Sequence, residues 1–179
     1  IAEGLNAVII NPSVIMGSGI WNKGTTGIFD KVYEGLAFYP VGTTGFVDVR
    51  DVARMCIQLM ESDISKQRVI ANAANLSFQN FFTTIAHSLK KKPPSVKANS
   101  FLSGLAWRAD WLRSKLTNSQ QLITKSRALL TSCTWRFDNS LSKELLNFEY
   151  IPIEKTLEET AAQFLESKKD GRVAAYLPI

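Results

Sequence analysis

The run Ala7-Val8-Ile9-Ile10, continuing through Asn11-Pro12-Ser13 to Val14-Ile15, carries no charge and has the unbroken apolar character of a strand covered on both faces. It predicts a buried strand over 7–15. Further on, the period changes: Ile28, Val32, Gly35 and Leu36 fall on one helical face, which predicts a helix over 26–36. The turn-rich stretch Tyr39-Pro40-Val41-Gly42-Thr43-Thr44-Gly45 then leads into a short strand, Phe46-Val47-Asp48-Val49. Asp51 is positioned to cap a helix whose apolar side holds Val52, Met55, Cys56, Leu59 and Met60. A strand over 68–73 follows, and Ser77 caps a helix over 78–91 that turns Phe81, Phe82, Ile85 and Leu89 inward.

From Ser100 the pattern becomes mostly helical, with helices expected over 101–116, 120–130, 142–146 and 153–167, broken by a strand over 134–137. The last helix follows Pro152 and places Leu157, Ala161, Phe164 and Leu165 on one stripe, with Glu154, Glu158 and Glu159 near its positive end. A loose tail is expected after Lys169. Strands alternating with helices, then helices alone, describe an α/β chain: the end of a sheet domain followed by a mostly helical lid, dividing near residue 75 into 1–75 and 76–179. The chain opens without Met, and Gly4-Leu5 has the form of a helix stop whose helix is not present, so it is read as the C-terminal part of a longer protein.

Composition narrows the function classes. With 45% apolar and 21% charged residues, 179 residues are enough for a packed core. No apolar run approaches the roughly 20 residues that span a bilayer, so no membrane role is expected and the cytoplasm is the expected location. The net charge of +5 permits anionic ligands, but the densest basic run, Lys90-Lys91-Lys92, precedes Pro93-Pro94 and reads as a solvated helix end. Without aromatic interleaving it predicts no nucleic-acid partner. Cys56 and Cys133 show neither disulfide nor metal-ligand spacing, and His87 stands mid-helix without a Cys, Asp or Glu partner, so no metal site is expected.

Two segments carry a more specific signal. Asn11-Pro12-Ser13-Val14-Ile15-Met16-Gly17 ends a strand in a proline and a small hydroxyl residue, and Phe46-Val47-Asp48-Val49-Arg50-Asp51-Val52-Ala53 joins a strand to a helix. In this order, with Arg68-Val69-Ile70-Ala71-Asn72-Ala73 after them, they resemble the extended short-chain dehydrogenase/reductases, the NAD(P)-dependent epimerase/dehydratase superfamily. That resemblance implies a Rossmann-like fold and an NAD or NADP cofactor bound mostly by residues preceding this chain. It places Pro12, Ser13 and Val14 beside the nicotinamide. Physically, Pro12 cannot donate to a sheet ladder and releases the chain at a strand's carboxyl end, leaving backbone groups of Ser13 and Val14 for a carboxamide. Met16, Trp21, Trp107 and Trp111 are the substrate-binding residues that the resemblance suggests. Trp107 and Trp111, four apart, share a helical face that reads first as core packing and second as a lid over an apolar substrate; a membrane-surface helix is a third reading.

The resembled enzymes use a Tyr-x-x-x-Lys pair, and this chain has none: the residues four beyond Tyr33, Tyr39 and Tyr150 are Ala37, Thr43 and Glu154. No catalytic residue is therefore assigned, and the chain alone is expected to be inactive. Sugar-nucleotide members carry an arginine just before the Phe-Val-x-Val strand to hold a diphosphate. Gly42-Thr43-Thr44-Gly45 has no cation there, which resembles the dihydroflavonol-reductase branch and implies reduction of a small aldehyde or ketone. The alternatives are a nucleotide-sugar epimerase or dehydratase, and a non-catalytic NAD(P)-binding regulatory module. Because the run 7–10 would lie beside a strand from the preceding half, either that half or a second copy is expected at its open edge.

Overall fold

The computed structural model describes Gly4, 6–98 and 133–173. The run predicted as one strand is two, β1 (Ile9–Pro12) and β2 (Val14–Met16), in different sheets. Pro12 ends the first, and Ser13 is the crossing point. β1 lies parallel to β5 (Arg68–Ala71), with Ile9 opposite Arg68 and Pro12 opposite Ala71. β2 lies parallel to β4 (Thr43–Asp48), whose start pairs antiparallel with β6 (Ala74–Ser77). A third pair, β3 (Phe38–Pro40) with β7 (Val96–Ala98), is parallel. The predicted strand over 68–73 also breaks, at buried Asn72, so that β6 can turn back along β4.

Helices α1 (Gly27–Tyr33), α2 (Val49–Met60), α3 (Phe78–Ser88), α4 (Ser140–Leu146) and α5 (Ile153–Lys169) complete the described residues. Ser77 caps α3 as expected, accepting a hydrogen bond from Asn80 N. The cap of α2 is not Asp51. Asp48, with extended backbone, accepts from Arg50 N at 2.7 Å and starts the helix one turn earlier, which leaves Asp51 inside the first turn. The buried face is also narrower than expected: Met55 and Leu59 point inward, whereas Cys56 and Met60 are exposed.

Successive residues of a strand point to opposite faces, and β4 uses this to separate two cores. Phe46 joins Met16, Trp21, Phe29, Phe81, Ile85, Leu157 and Phe164 in the larger core. Val47 joins Met55, Leu59, Val69, Ala71, Leu146 and Phe148 in the smaller. Each core therefore draws on residues from both sides of position 75. Phe46 stacks on Phe81 with centroids 4.3 Å apart, and Phe164 meets Trp21 edge-on at 5.4 Å. Past Lys169 the chain turns back: Trp21 N donates to Val173 O at 3.0 Å, where a loose tail was expected. The expected helices over 101–116 and 120–130, with Trp107 and Trp111, lie outside the described residues. Among the described residues no helix is long and apolar enough to cross a membrane.

Candidate functional site

Ligands of open α/β sheets bind beyond the carboxyl ends of the strands, at the point where neighbouring chains diverge. Here that point is the shared end of β1 and β5, Pro12 and Ala71. Ser13 N donates to Ala71 O at 2.9 Å, so this amide is committed to the protein and is not available to a carboxamide as the sequence suggested. The Ser13 hydroxyl is different: it is buried and has no hydrogen-bond partner. Nearby, Asn72 is 1% exposed, and its carboxamide oxygen is likewise without a partner.

These groups meet over Gly45. A Cβ at that position would come within 2.2 Å of Asn72 Oδ1, 2.7 Å of Phe137 Cδ2 and 2.9 Å of Ser13 Cβ. No side chain fits there, and glycine is what allows β4 to approach so closely. The segment bearing Phe137 is held from several directions. Cys133 O accepts from Thr43 N, and Trp135 N donates to Thr43 O at 2.9 Å, a single bridge in place of the strand expected over 134–137. Phe137 N donates to Asn75 Oδ1 at 2.9 Å, while Phe137 O accepts from Asn75 Nδ2 at 3.0 Å and Asn72 Nδ2 at 3.1 Å. Asn139 Nδ2 then donates to Asn72 O at 2.7 Å. Three asparagines thus fasten the chain to the ends of β5 and β6.

Pro12 and Val14 lie on either side of this crossing, with Pro12 exposed and Val14 half-buried against the larger core. Met16 and Trp21, expected to face a substrate, are 0% and 3% exposed and belong to the larger core. β2 turns Met16 inward, and the Trp21 ring packs on Phe29 and Phe164. Phe137, Asn72, Asn75 and Gly45 were not singled out by the sequence. The available signal was Thr134-Trp135-Arg136-Phe137, an aromatic pair directly ahead of the turn that starts α4. In that turn the Asp138 carboxylate accepts from Ser140 N and Oγ, which lowers its pKa from the ordinary value.

Asp48, Arg50, Asp51 and Arg54 are paired. Burial pushes the Asp48 carboxyl up, but hydrogen bonds from the Arg50 side chain, Thr156 Oγ1 and Arg50 N outweigh this and leave its pKa below the ordinary value. Arg50 grips Asp48 through Nε at 3.0 Å and an Nη at 2.7 Å, and the same Nη reaches Glu159 at 2.7 Å. These bonds raise the guanidinium pKa still further. Asp51, fully buried, accepts from Ile151 N at 2.9 Å and from Arg54, which also lies over Phe148. Tyr150 has its pKa raised by burial and, less strongly, by Asp51; its hydroxyl is 2.7 Å from Ser142 Oγ. Among the described residues no three His, Cys, Asp or Glu side chains gather where they could hold a metal ion.

No family model matches this sequence, and no curated protein does. Solved structures do share its fold. The chain is similar to PA4631, a nucleoside-diphosphate-sugar epimerase from Pseudomonas aeruginosa, at TM-score 0.68 and 18% identity over 92% of this chain and 49% of that one. It is similar to UDP-glucose 4-epimerase from Thermotoga maritima at TM-score 0.66 and 14% identity, covering 93% and 48%. The likeness to yeast methylglyoxal/isovaleraldehyde reductase Gre2, solved with NADPH, has TM-score 0.56 and 22% identity, covering 91% and 47%. The chain spans about half the length of each.

Proposed function

From an α/β fold shared with half of several extended short-chain dehydrogenase/reductase structures, we propose that this chain is the C-terminal, substrate-binding half of an NAD(P)-dependent oxidoreductase. Its substrate is a small aldehyde or ketone. The observation that carries this choice is the commitment of Arg50. Its guanidinium is already paired with Asp48 and Glu159, and the stretch before Phe46 contains no cation to hold a diphosphate. The ring of Phe137 lies against that stretch at Gly45, giving the site an apolar wall. A nucleotide-sugar epimerase is the second reading, favoured by the two epimerase structures that share the fold.

The residues present fit one edge of a nicotinamide site. The buried hydroxyl of Ser13 and carboxamide oxygen of Asn72, both without partners, match in kind the donors and acceptor of the cofactor's carboxamide. When bound, the nicotinamide supplies the hydride. This chain's own contribution is to shape the end of β1 and to orient the ring through Pro12–Val14. The proton donor and the phosphate-binding loop belong to residues preceding Ile1 in this reading.

The test uses full-length protein, with NAD(P)H consumption followed across aromatic and aliphatic aldehydes and ketones and across UDP- and dTDP-sugars. Carbonyl reduction with little sugar conversion is expected, and residues 1–179 alone should bind NADPH negligibly. Efficient epimerisation or dehydration of a nucleotide sugar would reverse the choice. Saturable NADPH binding without any turnover would instead identify a regulatory module.

A further inference from the structure

We propose that Phe137 is a specificity-determining residue, a fixed aromatic wall that selects aryl or bulky apolar carbonyl compounds over short polar ones. This rests on the reductase reading above. The ring is only partly buried and leans on the backbone of Gly45, close to Ser13 at the carboxyl end of β1. A Cβ on residue 45 would lie 2.7 Å from Phe137 Cδ2, so the ring keeps this place only because residue 45 is glycine.

Phe137 is also held more firmly than packing alone requires. Its N–H and C=O both pair with the side-chain amide of Asn75, an exposed residue that has no core to stabilise, and the carbonyl takes a second bond from buried Asn72. Fixing both backbone groups of one residue by side chains from a different element fixes the origin of its side chain. Such a clasp is what a wall needs to discriminate by shape, because a mobile ring would accommodate any substrate. The flat face of an aromatic ring stacks on another ring and shields apolar surface, but offers no hydrogen bond to a short polar carbonyl compound. Asn75 acts through Phe137 and is a positioning residue.

The experiment compares full-length wild type with Phe137→Ala, Phe137→Tyr and Asn75→Ala on a matched pair of substrates, an aryl aldehyde and a two- or three-carbon aldehyde. NADPH affinity and melting temperature are recorded for each protein. We expect Phe137→Ala to raise KM for the aryl aldehyde about tenfold while kcat changes little and the short aldehyde is unaffected. Phe137→Tyr should retain the discrimination. Asn75→Ala should lose part of it with NADPH affinity unchanged. Equal effects on both aldehydes, or none, in a folded Phe137→Ala protein would overturn the inference and leave the reductase reading standing. If the wild type reduces neither aldehyde, both are overturned. Should Phe137→Ala not fold, the Tyr and Asn75 variants decide: loss of discrimination in the first, or full retention in the second, counts against the wall.

Discussion

Two aspartates three residues apart show how one side chain can organise a site. Asp48 is buried at 1% exposure, yet remains ionised because Arg50, Thr156 and the first turn of α2 all donate to it. Its pKa is lower in the folded chain than in the unfolded one, so its stabilising contribution is complete above the unfolded value and disappears as pH falls through the folded value. Asp48→Asn should therefore cost about 2 kcal/mol near neutrality, the scale of hydrogen bonds to a buried charge. In urea melts the gap from wild type should narrow in acid, and a gap independent of pH would contradict the assignment. The sequence made Asp51 the cap because it precedes the apolar run Val52 to Leu59; Asp48 is as good a capping residue, but reading Phe46 to Val49 as a strand hid it. Only the folded chain shows Asp51 holding Ile151 N, a hundred residues away.

At the level of elements, what was legible followed length. α3 and α5, of 11 and 17 residues, repeat their apolar positions often enough for the period to be read, and both form over nearly the expected ranges. β3 and β7, of three residues each, are too short to display any alternation and were missed. The split of 7–15 into two strands was hidden for another reason: apolar runs are continuous whether or not the chain changes sheets, and Pro12 marked the exit without giving its direction. The end of β1 was legible at Pro12, where a proline breaks an apolar run; the cofactor contacts expected of Pro12–Val14 belong to the proposal. Phe137 was not legible, since its role comes from the close approach of Gly45 and the clasp of Asn75. α5 supplies Ile153, Leu157, Ala161 and Phe164 to the larger core, and Phe164 touches Trp21, Phe29 and Tyr33. Phe164→Ala should lose about 3–5 kcal/mol, read as a lower denaturant midpoint with an unchanged slope.

For the molecule as a whole, the exposed side of β1 is the conspicuous liability. β1 pairs with β5 along one edge, and among the described residues no strand pairs with the other. Ile9, 37% exposed, sits on that strand with no neighbouring charge in the run 7–10. The 179-residue chain should consequently self-associate as its concentration rises, and Ile9→Lys should reduce this in light scattering. A concentration-independent monomer that unfolds cooperatively would show that the edge is protected in some other way.

The two cores separated by β4 also set an order in time. The larger one begins with Met16 and is closed by Phe164, so a ribosome must deliver nearly all of the chain before its aromatic residues find their partners. At about 5–20 residues per second, the roughly 120 residues between Phe46 and Phe164 take about 6 to 24 seconds to emerge. During that interval Phe46 can stack on Phe81 once α3 has emerged and Trp21 can meet Phe29, but the faces that both Trp21 and Phe29 turn to Phe164 stay uncovered. α5 is thus the latch of the larger core, the last of its described elements to emerge.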